Sequence, residues 1–63
     1  MRPSDLDPDG PHLRVPEVAD LLRLSERTVL RYISAGRLHG LRQAGAWLIP
    51  QRSVIDYFRE IDQ

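Results

Sequence analysis

The stretch Ser25-Glu26-Arg27-Thr28-Val29-Leu30-Arg31-Tyr32-Ile33-Ser34-Ala35-Gly36 decides how this 63-residue chain is read. Ser25 is a strong helix N-cap, because its hydroxyl can accept a hydrogen bond from a backbone N–H that the first turn leaves without a partner. Glu26 sets a negative charge at the positive end of the helix that begins there. Gly36 suits the left-handed conformation favoured just past a helix C-terminus, so the helix is expected to run to about Ala35. Val29 and Ile33 lie four apart and face a core, while Arg27, Thr28 and Arg31 share the opposite, cationic face.

Upstream, Val18, Leu21 and Leu22 fall at spacings of three and four, and Pro16 is tolerated only in a first turn. An earlier helix is therefore expected over roughly Val15 to Arg23. Only one or two residues, Arg23 and Leu24, separate it from the next, which forces a sharp turn between the two, as in a helix-turn-helix unit. Leu13-Arg14-Val15 can form one extended edge ahead of the first helix. Downstream, two short apolar segments, Leu38 to Arg42 and Trp47 to Ile49, flank Gln43-Ala44-Gly45-Ala46 and predict a β-hairpin. Pro50 ends the second strand. Gln51 or Ser53 can open a last helix, in which Val54, Phe58 and Ile61 repeat at i, i+4 and i+7. Val29, Trp47 and Phe58 are expected to be mutual neighbours in the core, with Trp47 as an anchor. The fold class is mainly α with a small β-hairpin: a winged helix-turn-helix of three helices and a two-stranded wing, spanning residues 13–63.

Residues 1–12 are expected to form a flexible N-terminal tail, since MRPSDLDPDGP holds three Pro and three Asp against a single large aliphatic residue, Leu6. A chain of this length buries one modest core and has no room for a catalytic domain beside a binding domain. Without cysteine there is neither a disulfide nor a thiolate metal site. No apolar run approaches the ~18 residues of a membrane span, and no apolar leader follows Met1-Arg2, so a cytoplasmic protein is expected. Nine arginines, with no lysine, balance nine acidic residues. The first eleven residues hold Asp5, Asp7 and Asp9 against Arg2, which leaves residues 12–63 with eight Arg against six acids. A mildly basic folded part is compatible with nucleic acid. Arginine alone suits bidentate contacts to guanine edges and phosphates, and equally fits the codon bias of a GC-rich genome.

Enzymatic readings fail on inventory. His12 in the tail and His39 in a loop do not assemble with a nucleophile into a catalytic or metal-binding set, so no catalytic residue, metal or cofactor is expected.

The order helix, tight turn, helix, hairpin, helix is carried by Val15-Pro16-Glu17-Val18-Ala19, by Ser25 through Ile33 and by Gly36-Arg37-Leu38, with Trp47 and Pro50 in the wing. Over about residues 13 to 61 this chain resembles the excisionase family, and with it the DNA-binding domain of MerR-like regulators. Two departures stand out. Arg23 occupies the place of a turn glycine common in relatives, which implies a strained or remodelled turn. Ala46 and Leu48 flank Trp47 where relatives often carry arginines, which implies a weaker hold on the minor groove.

The resemblance implies that the second helix enters the major groove of double-stranded DNA, with Ser25, Arg27, Thr28 and Arg31 at base edges and phosphates. Arg42 and Gln43 at the hairpin tip would reach a phosphate or the neighbouring minor groove, unless they serve solubility alone. Arg37 and His39 would meet backbone phosphates or form a plain surface loop. Tyr32 would offer its hydroxyl to a phosphate or pack beneath the wing with a wet tip. Three functions follow in order. The first is an excisionase, a recombination directionality factor that bends DNA and assists an integrase in excising a phage or other mobile element. It would be a monomer when free and self-associate on tandem sites; the lack of an appended coiled coil favours this over longer regulators. The second is a small stand-alone MerR-like transcription regulator. The third is a protein-interaction adaptor that has lost DNA binding.

Overall fold

The computed structural model describes residues 3–61; Met1, Arg2, Asp62 and Gln63, the outermost ends of the expected tail and domain, lie outside the described residues. Three helices, α1 (Val15–Leu22), α2 (Glu26–Ser34) and α3 (Gln51–Ile61), pack with three short strands, β1 (Leu13–Arg14), β2 (Leu41–Gln43) and β3 (Ala46–Ile49). This is the winged helix-turn-helix architecture read from the sequence.

Local chemistry accounts for each boundary. Glu17 accepts the Arg14 backbone N–H at 3.2 Å through its carboxylate, and Pro16 sits in the first turn, where its missing N–H costs nothing. At the far end of α1 the Leu24 N–H reaches the Ala19 carbonyl at 2.9 Å and the Arg23 N–H reaches that of Asp20 at 3.4 Å. This Schellman pattern needs a left-handed residue, and Arg23 itself takes φ 56 and ψ 44. The turn is not remodelled around the missing glycine. Ser25 then caps α2, its hydroxyl accepting the Thr28 N–H at 3.1 Å.

In the sheet, β3 lies between β1 and β2, antiparallel to both, with Leu13 opposite Ile49 and Arg42 opposite Trp47. Ala44 and Gly45 form a two-residue hairpin loop with φ of 50 and 79, both positive as a type I′ turn requires. The first apolar segment of the wing becomes strand only from Leu41 onward. Leu38 and His39 stay out of the ladder because their backbone donors are used elsewhere: the Leu38 N–H on the Tyr32 carbonyl (3.2 Å) and the His39 N–H on the Ser53 hydroxyl (2.8 Å).

Leu13, Val18, Ala19, Val29, Leu38, Ile49 and Val54 make up the buried core. The expected trio of Val29, Trp47 and Phe58 is corrected here. Val29 is fully buried, Phe58 is half-buried against the core, and Trp47 lies outside the core cluster. Side chains alternate along β3, so Trp47 shares the inward face of Ile49 but stands two residues nearer the tip, beyond the reach of the helical core. It covers Gly40 beside Ile33: a Cβ on Gly40 would come within 3.1 Å of the indole and 3.2 Å of Ile33. The α3 stripe likewise ends early, with Ile61 55% exposed, because the small core is already closed by Val54.

Two buried polar side chains bind segments distant in sequence. Ser53 serves His39, as above. Gln51 accepts the Asp7 N–H at 2.9 Å and donates to the Pro11 carbonyl at 2.7 Å. The segment expected as a tail thus carries a 3-10 turn at Pro3–Asp5, packs Leu6 on the core, and is hydrogen-bonded to the start of α3.

Candidate nucleic-acid interface

The outward face of α2 follows from its inward one. Val29 and Ile33 turn to the core, which leaves Arg27 and Arg31, one turn apart, exposed on the other side. With Leu30, Ser34 and Ala35 they line a shallow depression of about 460 Å3 that opens to solvent. At the N-terminus of the helix the hydroxyls of Ser25 and Thr28 lie 2.8 Å apart. Both are engaged in the cap, so their donors and acceptors are already oriented there before any ligand arrives.

The C-terminal end of α2 is built differently. Tyr32 is half-buried, its ring centroid 5.9 Å from that of Tyr57 on α3, and the Arg37 guanidinium stands 4.6 Å over the Tyr32 ring. Gly36, at φ 79, turns the chain so that Arg37 folds back onto this ring. Partial burial first, and then the neighbouring Tyr32 hydroxyl, push the Tyr57 phenol above its ordinary range, with Arg37 opposing. Tyr32 therefore packs against α3 at its ring.

On the wing, Arg42 and Gln43 are exposed. The Arg42 guanidinium sits 5.6 Å over its cross-strand partner Trp47, so an indole face supports this cation. The His39 side chain is exposed, while its backbone is tied to α3. The structure thus sets Arg27 and Arg31 on one depression and pairs Ser25 with Thr28, Tyr32 with Arg37 and Arg42 with Trp47, while the Gln43 and His39 side chains are exposed. Leu30, Ser34 and Ala35 join the arginine face without having been singled out from the sequence. Leu30 could have been noticed as the large apolar residue of α2 that falls outside the Val29 and Ile33 stripe.

Among the described residues no group of three or more His, Asp or Glu side chains is placed to hold a metal ion, and no helix is long and apolar enough to cross a membrane.

Residues 13–62, nearly the whole of the folded part, match the family described as Helix-turn-helix domain. The chain belongs to the helix-turn-helix domain family. The match covers both helices of the motif and the wing, and it assigns double-stranded DNA, bound in a sequence-specific manner, as the partner of this helix-turn-helix domain. No curated protein and no solved structure matches the chain.

Proposed function

We propose that this helix-turn-helix domain acts as an excisionase: an accessory protein that binds repeated sites, bends the DNA between them and assists an integrase in excising a mobile element. Its α2 enters the major groove with Ser25, Arg27, Thr28 and Arg31. Tyr32, Arg37 and His39 face the backbone phosphates beside it, and Arg42 with Gln43 extends from the wing to a phosphate or the minor groove. The site of action is the nucleoid, in the cytoplasm of a bacterial or phage-infected cell.

The thinness of the wing carries this reading. At its exposed tip Arg42 stands as the one cation, beside Gln43, and Ala46 and Leu48 flank Trp47. One domain then neutralises only a handful of phosphates, and solitary binding is weak and salt-sensitive. Copies set in phase along the duplex add contacts that a bent path brings together. This is architectural work, which suits a directionality factor better than a lone repressor.

Mobility shifts on probes with one, two and three sites, run beside a circular-permutation assay, test the proposal. Sigmoidal binding and a bend are expected. Equal affinity per site on straight DNA would overturn it and leave the stand-alone MerR-like regulator as the better account.

A further inference from the structure

Leu30 is a large aliphatic side chain, 39% exposed, on the same helix face as two arginines. On α2, Val29 is buried in the core and Tyr32 and Ile33 are partly buried against it, while Leu30 is the large aliphatic side chain left exposed. It stands three residues after Arg27, directly before Arg31 and one turn before Ser34, and with them it lines the open depression on α2. An apolar side chain beside a pair of arginines is matched by a surface that offers anionic and hydrogen-bond-accepting atoms next to an apolar one.

The edge of a DNA major groove has this composition. Guanine presents O6 and N7, which accept from arginine, and the C5-methyl of thymine is the apolar group of the groove. The depression is open to solvent, so this face of α2 is accessible to the edge of a base pair.

We infer that Leu30 is a specificity-determining residue, which reads the C5-methyl of a thymine next to the bases or phosphates that Arg27 and Arg31 contact. The inference rests on α2 as the base-reading element.

Duplexes selected from a random pool by the full chain supply the probe, and each thymine of the selected site is replaced in turn by deoxyuracil, which removes the methyl and nothing else. Fluorescence anisotropy at fixed salt is expected to show one position at which uracil weakens binding about 3–5-fold, the scale of one buried methyl group. Leu30→Ala, in an exposed position, keeps its circular dichroism spectrum and binds the thymine and uracil probes equally. A selected site without a methyl-sensitive thymine, or a Leu30→Ala protein that keeps the same sensitivity, overturns the assignment of Leu30 while α2 remains the reader. A pool from which no site is enriched overturns the base-reading role of α2 and the assignment of Leu30 with it.

Discussion

Arg23 ends α1 in the way that Gly36 ends α2: both residues are left-handed, at φ 56 and φ 79, and both are followed by a backbone N–H that reaches five residues back, Leu24 to Ala19 and Arg37 to Tyr32, each at 2.9 Å. The two helices of the motif therefore stop by one device, built once with glycine and once with an arginine whose Cβ crowds the backbone.

This equivalence predicts opposite responses. Arg23→Gly should raise stability by about 0.5–1 kcal/mol, because relief of the left-handed strain outweighs the added freedom of the unfolded chain. Gly36→Ala should lower it by about 1–2 kcal/mol. A Cβ at Gly36 meets nothing within 4 Å, so that loss is one of backbone conformation and not of packing. Thermal melts of the two variants check both signs, with about 4–8 °C per kcal/mol in a domain of this size.

Gln51 holds residues 7–11 through both ends of its amide, and it is buried. Gln51→Ala should cost about 1–3 kcal/mol by leaving the Asp7 N–H and Pro11 carbonyl without their partner. Amide exchange reads the local consequence: the Asp7 amide should lose protection in the variant, while amides within α2 keep theirs.

Arg31 is exposed on the face of α2 away from the core. Arg31→Ala should weaken binding to a preferred duplex by about 1–3 kcal/mol and relax preference at one base pair, with an unchanged circular dichroism spectrum. Arg59→Ala removes the same charge from exposed α3 and should change affinity little. Titrations of both variants against specific and random duplexes distinguish base reading from plain charge attraction.

Tyr57 holds its proton more tightly in the folded protein than in the unfolded chain, because partial burial and the Tyr32 hydroxyl disfavour the phenolate. The folded state then binds more protons above pH ~10, and stability should fall as the pH rises from the ordinary phenol value through the raised one. Denaturant midpoints measured from neutral pH upward should show this decline, and Tyr57→Phe should flatten it.

The helices were legible because their signals are local. Ser25, Pro16, Gly36 and the four-residue spacing of Val29 and Ile33 act within one or two turns, so they mark the boundaries of α1 and α2 whatever the rest of the chain does. The hairpin was legible for the same reason, since Gly45 and the two apolar runs are neighbours in sequence. The arginine face of α2 followed from the stripe opposite to it.

What only the tertiary structure decided depends on segments that meet in space. Trp47 is a rim residue because β3 leaves the helical core two residues after Ile49 as the strand is followed back to the tip, and no composition rule states where a core ends. Gln51 and Ser53 look like ordinary helix-opening residues, yet each satisfies backbone groups 14 to 44 residues away, and such partners cannot be read from spacing. Leu30 is apolar in any reading of the chain. That it stands beside Arg27 and Arg31 over open solvent, and not inside, was settled by packing: the single core of a 63-residue chain was filled by Val29, Leu38, Ile49 and Val54, and left no room for it.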